Sequence, residues 1–504
     1  MNAAAILQTL SSSSDPELTA RALSSLAATI KQSTSSTLDA DAFLAGMLQN
    51  TLPVVDVRSP GEYAQGHIPG AHSLPLFSDK ERAAVGTTYK HQGREAAMAL
   101  GMKYVTPKLE SLVARARELA RADGSIGVHC WRGGLRSGAV AWLLRQHGLH
   151  AVSLAGGYKA FRAWALSTWG DIAMPVPRAK QRRGTPEAAD EVLTAGGLPV
   201  SLVEAAQSIP GRRVCVIGGR TGVGKTRVLL ALRAMGQAVI DLEGLAQHRG
   251  SAFGWVGQQW HNRTPNEAPD QPSSEHFCNM CAMEWREANS RNGSNGSSSG
   301  SSSSRGWIFV EDEDTHIGGV TLPANLYAML RCAPLIVRVH LGEAARVKLL
   351  VDDYASEAVM QNGGGKEGDH KAWLERMEDS VARLGKRLGG NVVNELVRGL
   401  RCGEYEGVAK HLIAYYDKLY DAHVLNGSGS GSGTGERPGQ VLDAAQPEEL
   451  PCLDAELLAR LVLERVGEFE VAEAKDQGSQ AVDAFTWTYY AFRAMRGTRH
   501  AFGL

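Results

Sequence analysis

Two short apolar runs, each ending in a glycine-rich turn with a helical pattern beyond it, constrain this 504-residue chain most. The first is SIGVH (125–129), which leads into CWRGGLRS and the apolar SGAVAWLL. The second is RRVCVIGG (212–219), which leads into RTGVGKT and a helical run from Thr226. A further apolar run, LPVVDV (52–57), precedes the first pair. Short apolar runs alternating with helical patterns belong to parallel sheets covered on both faces. The expected class is therefore α/β, as two α/β domains in tandem.

Low-complexity tracts place the joints. Residues 289–305 are almost entirely Ser, Gly and Asn and cannot offset chain entropy by burying apolar area. Residues 426–440 read as a flexible linker, and 441–504 as a helical C-terminal extension. Residues 171–208 read as an interdomain linker whose Arg178, Lys180, Arg182 and Arg183 make a local basic surface. The domains expected between these joints are 39–170 and 209–425, after a disordered tail at 1–38. Asp15 and Glu17 suit a transit peptide poorly, so a cytoplasmic chain is the expectation, organellar only if that tail is a transit segment.

Composition excludes several classes. With 53 Lys+Arg against 54 Asp+Glu, nucleic acid must be met by a local patch, not by bulk basicity. Seven unevenly spaced cysteines make no disulfide framework and point to a reducing compartment. No apolar run is long enough for a membrane span. Cys278 and Cys281 lack a second ligand pair, so they read as incidental on a helix, and no metal site is expected from them. The last stretch, FTWTYYAFRAMRGTRHAFGL, reads as a packed amphipathic helix or as a surface for stacking RNA bases.

The first loop carries nucleophile chemistry. Between strand and helix, backbone N–H groups form an anion-binding nest, and Gly133 and Gly134 permit the tight turn. Those donors, with Arg132 and Arg136, favour the thiolate of Cys130. Trp131, Leu135 and Ser137 complete the loop. In the same domain lies DVRSPGEYAQGHIPGA (56–71). Together these closely resemble the rhodanese fold, whose cysteine carries a transferable chalcogen. Asp56, Arg58, Glu62 and His67 read as structural. Five residues separate Cys130 from Arg136, one more than in a usual rhodanese loop. That spacing is shared with tyrosine phosphatases, where the loop encircles phosphate.

The second loop, Gly219-Arg220-Thr221-Gly222-Val223-Gly224-Lys225-Thr226, matches G-x-x-x-x-G-K-[ST] in its required strand-to-helix context. Its N–H groups would cradle a diphosphate, Lys225 would reach the outer oxygens, and Thr226 would face Mg²⁺. A metal-side carboxylate is expected among Glu311, Asp312 and Glu313, just past the apolar WIFV. Asp241, Glu243, His248, Arg249 and Ser251 form a dense charged stretch, expected to line the phosphate site.

A rhodanese domain with CWRGGLRS, followed by a P-loop domain, resembles the bacterial-type tRNA 2-selenouridine synthases. The likeness extends to PLFSDKERAAVGTTYK (75–90), DLEGLAQHRGSAFG (241–254), VEDE (310–313) with Ile317-Gly318 and Leu322-Pro323, and Tyr415 to Tyr420. The resemblance implies a rhodanese-like domain joined to a P-loop NTPase-like domain, with Ser/Gly-rich insertions. It implies a transferase that replaces the sulfur of wobble 2-thiouridine in tRNA with selenium from selenophosphate, through an S-geranyl intermediate. Cys130 would then be the nucleophile, with Arg132 and Arg136 holding the anionic donor. Selenophosphate and geranyl diphosphate would be co-substrates, Mg²⁺ a candidate at the P-loop, and a selenophosphate-supplying enzyme a candidate partner. Whether the P-loop takes geranyl diphosphate or a nucleotide stays open. So do two alternatives: a Cys-dependent phosphatase or sulfurtransferase fused to a P-loop kinase-like domain, and a non-catalytic RNA-binding scaffold.

Overall fold

The structure is a computed structural model. It describes residues 37–169, 213–255, 271–290, 306–356, 367–425, 440–446 and 452–476, with a few isolated positions besides. The Arg178–Arg183 surface, the Ser/Gly tract and the aromatic C-terminus lie outside the described residues. The chain forms two compact units, one of residues 1–168 with 272–287 and one of the remainder.

The first unit runs β1 (Thr37–Leu38), α1 (Ala40–Leu48), β2 (Val54–Asp56), α2 (Pro60–Gln65), β3 (His72–Ser73), α3 (Asp79–Val105), α4 (Leu109–Leu119), β4 (Ser125–His129), α5 (Leu135–Gln146), β5 (His150–Leu154) and α6 (Gly157–Leu166). Its five strands are parallel in the order β1-β5-β4-β2-β3, so β4 lies at the centre. All of β4 past Ser125 is buried, as a central parallel strand covered on both faces requires. One side of its core joins Val55, Ile126 and Val128 to Leu112, Val140 and Leu144. Capping boxes start α2 at Ser59 and α3 at Ser78.

The second unit begins with β6 (Arg213–Gly218), α7 (Lys225–Ala234), β7 (Ala238–Ile240) and α8 (Leu242–Ala246). The next helix, α9 (Ser274–Ser290), belongs through Glu287 to the first unit. There Asn279 donates to the His67 carbonyl at 2.9 Å, and Glu275 accepts from the Tyr158 hydroxyl at 2.7 Å. Cys278 and Cys281 are buried on this helix and form no disulfide. The chain then forms β8 (Trp307–Glu311), the hairpin β9 (His316–Ile317) and β10 (Val320–Thr321), α10 (Ala324–Arg331), β11 (Leu335–His340) and α11 (Glu343–Val351). A helical group follows: α12 (Glu367–Arg383), α13 (Gly385–Leu388), α14 (Gly390–Cys402) and α15 (Tyr405–Leu425).

Beyond the linker, β12 (Gln440–Ala445) pairs parallel with β11, and α16 (Ala455–Asp476) packs against it. The sequence suggests only a helical extension here; the segment also supplies the edge strand of a parallel sheet ordered β12-β11-β6-β8-β7. The strand escapes notice because its burial pattern is mostly exposed, with Ala444 reaching the core. Among the described residues no helix is long and apolar enough to cross a membrane.

Candidate functional site

Parallel sheets place the chemistry at the carboxyl ends of their strands, and both glycine-rich loops lie there. In the first unit the loop leaves the central strand β4 and enters α5. Cys130 is 3% exposed, and its Sγ lies 3.2 Å from the Ser137 hydroxyl, in the first turn of α5. Gly133 takes φ +63, and a Cβ there would fall 2.6 Å from the Leu154 carbonyl oxygen. The loop is held from below by Gly156 and Gly157, both at positive φ. Tyr158 N–H donates to the Cys130 carbonyl at 2.8 Å, and Lys159 N–H to that of Trp131 at 2.9 Å. The first turn of α6 thus fixes the loop's backbone. These glycines carry as much of the loop's shape as Gly133 does, and only the doubled Gly before an aromatic hinted at them.

The loop's two arginines differ. Arg136 donates to Glu62 at 3.0 Å, whereas Arg132 is exposed and has no partner among the described residues. Glu62 also accepts from the Ser59 N–H. Partial burial would raise the Glu62 pKa, but Arg136, the Ser59 N–H and Arg82 outweigh it and hold the pKa low. Trp131 is 37% exposed at the rim.

Behind the loop, Arg58 is buried, forks onto Asp56 at 2.6–3.0 Å and lies 3.9 Å from the Tyr158 ring centroid. His129 is fully buried beside Asp56 at 3.7 Å, and desolvation depresses its pKa to about 4. His67 stacks between Tyr63 and His276. Of these residues Arg58 reaches the loop, lying 6.0 Å from the Trp131 ring centroid.

In the second unit the loop from Gly219 leaves β6, the middle strand of its sheet. Gly222 and Gly224 both take φ +77, and α7 starts at Lys225. Register places the end of β8 beside that of β6, with Glu311 opposite Ile217, and β7 beyond it. Carboxylates at the end of β8 and just past β7 therefore converge on the loop. The Thr226 hydroxyl donates to Glu243 at 2.9 Å, and the Glu243 N–H to Glu311 at 2.7 Å. Lys225 Nζ rests 3.1 Å from the Gly219 carbonyl. Desolvation would lower the Lys225 pKa, but Glu313 and Glu243 outweigh it and raise it. Glu311 is wholly buried with one oxygen unpartnered; desolvation and then Asp241 and Glu243 push its pKa well up. The oxygen donors at Thr226, Glu243 and Glu311 suit a hard divalent cation completed by ligand phosphates. Among the described residues no three acidic, His or Cys side chains converge as a metal cage.

The remaining candidates divide. Ser251 turns its hydroxyl toward Tyr354 at 3.4 Å. Arg249 is drawn to the Asp353 carbonyl at 3.2 Å and over the Tyr354 ring. The His248 ring packs against Gly254 and Gly318, while its backbone N–H donates to the Glu243 carbonyl at 3.1 Å. Sequence reasoning missed the grip on the loop from outside. Arg346 forks onto Asp417 at 2.6 and 2.9 Å and donates to the Thr221 carbonyl at 2.7 Å, while Tyr420 accepts from Gly219 N–H at 2.8 Å. Arg220 forks onto Asp421.

Comparison with known proteins matches both units. A family model described as the rhodanese-like domain matches residues 39–163, and one described as the tRNA 2-selenouridine synthase AAA domain matches 212–438. A tRNA 2-selenouridine synthase of Marinobacter nauticus is 28% identical over 426 residues, covering 81% of this chain and 95% of that one. One from Pseudomonas entomophila is 32% identical over 393 residues, covering 73% and 86%. One from Sulfurovum sp. is 30% identical over 396 residues, covering 76% and 91%. Likeness of this extent, through both units and both loops, shows that the chain belongs to the tRNA 2-selenouridine synthase family.

Proposed function

We propose that this protein is a transferase that replaces the sulfur of wobble 2-thiouridine in tRNA with selenium from selenophosphate, by way of an S-geranyl intermediate. The observation that carries the reading is Cys130: a buried thiol beside Ser137, at the foot of a loop one residue longer than a usual rhodanese loop. In this reading Cys130 is the nucleophile. Arg132 and the loop N–H groups meet the phosphate-sized donor, and Arg136 joins them as it leaves Glu62. The P-loop holds the diphosphate of geranyl diphosphate through Lys225, and Thr226 and Glu243 would hold Mg²⁺. The cation would supply charge neutralisation for the leaving diphosphate. Arg178, Lys180, Arg182 and Arg183 supply the local basic surface for tRNA.

The test incubates the protein with 2-thiouridine tRNA, geranyl diphosphate and selenophosphate and resolves the nucleosides by mass spectrometry. Formation of 2-selenouridine that is lost in Cys130→Ala is the expected result. Hydrolysis of p-nitrophenyl phosphate without nucleoside change would replace this reading with the phosphatase. Modification that survives Cys130→Ala would remove Cys130 from the chemistry.

A further inference from the structure

Beside the P-loop, wholly within the second unit, lies an apolar cavity of about 590 Å³, solvent mouth included. Thr221, a P-loop residue, and Ser251 line it together with Leu350, Trp373, Met377 and Leu412. No amide, acidic, basic or imidazole side chain lines it. Among its hydroxyls, Tyr354 meets Ser251, and Tyr416 accepts from the Ala252 N–H. A nucleobase needs convergent donors and acceptors in its pocket, and this lining supplies hydrocarbon and aromatic faces instead.

The cavity is continuous with the phosphate loop. Leu350, on α11, packs against Gly222, where a Cβ would meet it at 3.0 Å. From there the lining passes to the core of the helical group, where Trp373 crosses Tyr405 edge to face. A ligand with its diphosphate on Lys225 would therefore run a tail past Thr221 and Leu350 toward Trp373.

The geometry points to this cavity as the subsite for the hydrocarbon tail of a prenyl diphosphate, with the side chains from α12, α14 and α15 setting its length. The inference rests on the proposed reading of the P-loop as a diphosphate site, and adds where the tail lies and what measures it. Burial of one further isoprene unit in such a lining strengthens binding about 10- to 100-fold.

The test is calorimetric titration of the full chain with Mg²⁺ and, separately, inorganic pyrophosphate, dimethylallyl, geranyl and farnesyl diphosphates. Affinity should rise about 100-fold or more from pyrophosphate to geranyl diphosphate, which adds two isoprene units, with a negative heat-capacity change. Leu412 is only half-buried, so it can be altered in size. Leu412→Trp should erase the gain for geranyl diphosphate and leave pyrophosphate bound as before. Leu412→Ala should move the optimum toward farnesyl diphosphate. Equal affinity for pyrophosphate and geranyl diphosphate, or unchanged length preference in both Leu412 variants, overturns the tail subsite. Failure of the underlying reading looks different: Lys225→Ala would then leave pyrophosphate binding untouched. If Leu412→Trp also loses pyrophosphate, the Leu412→Ala length preference decides.

Discussion

The support beneath Cys130 can be tested at Gly157. Its φ is +60, and an added Cβ would lie under 3.0 Å from the Cys130 carbonyl oxygen and the Gly133 nitrogen. Neither is the end of a flexible side chain, so the clash cannot be relieved by a rotamer change. Gly148 is the matched control: its φ is +85, and nothing lies within 4 Å of its added Cβ. Gly148→Ala should cost only the left-handed backbone penalty, about 1–2 kcal/mol. Gly157→Ala adds overpacking against fixed backbone, about 1–3 kcal/mol more, for a total of about 2–5 kcal/mol. The two units need not unfold together, so the readout must be local. Alkylation of Cys130 along a urea series, resolved by peptide mass spectrometry, reports the first unit through a thiol that is buried when folded. The Gly157→Ala midpoint should fall well below that of Gly148→Ala, and its Cys130 should label faster without urea. Unfolding free energies agreeing within about 0.5 kcal/mol would refute the claim that close approach, beyond backbone conformation, fixes this loop.

Three further outcomes follow from the same geometry. Lys225→Ala should abolish geranylation while sparing Cys130-dependent selenium transfer to pre-geranylated tRNA; loss of both would deny the division between the loops. Replacing Arg178, Lys180, Arg182 and Arg183 by Ala should weaken tRNA binding, and its log-log salt slope should flatten by about 3–4 if each meets one phosphate; an unchanged slope places the patch elsewhere. The third concerns pH. The folded pKa of His129 is depressed to about 4 from an unfolded value of about 6.5, so the first unit must keep it neutral. Its stabilising contribution is complete above about pH 6.5 and is lost as pH falls toward 4, by about 3 kcal/mol over the window. His276, also depressed to about 4, acts with the same sign. Urea midpoints of Cys130 labelling between pH 7 and 4.5 should fall, and His129→Asn should flatten that fall; an equal slope in the variant would show that His129 is not the titrating group.

What could be read from the chain was what is local. A run of buried strand residues, a glycine turn and a helix start occupy adjacent positions, so β4 with Cys130 and β6 with Lys225 were legible. Glu243 and Glu311 were legible as a dense acidic pattern, though only strand order shows that β8 and β7 bring both beside β6. Contacts between distant segments were not legible. Gly157 lies under Cys130 because β5 neighbours β4. The α9 helix sits in the sequence amid the second unit, yet its Asn279 and Glu275 pair with residues of the first. The strand β12 follows a glycine-rich linker and buries little, so neither alternation nor apolarity announces it.

The electrostatics carry a consequence that residue types alone do not. In each loop most nearby cations already have partners: Arg136 has Glu62, Arg220 has Asp421, and Arg346 has Asp417. Binding an anion there exchanges one partner for another, and a released carboxylate then faces the incoming charge. The two sites meet this differently. In the first unit Arg132 has no partner among the described residues, so a compact anion gains a cation before Arg136 must leave Glu62. In the second unit Lys225 already faces Glu243 and Glu313, and Glu311 is buried beside them with its pKa raised. A bare diphosphate there meets acidic neighbours as well as the lysine. A divalent cation removes that conflict by stabilising the ionised carboxylates and the diphosphate together. Diphosphate binding to the P-loop should therefore depend steeply on Mg²⁺, while anion binding at the Cys130 loop should not. Titration of pyrophosphate into the Cys130→Ala protein, with and without EDTA, isolates the first of these, and indifference to Mg²⁺ would overturn the assignment of Glu243 to the cation.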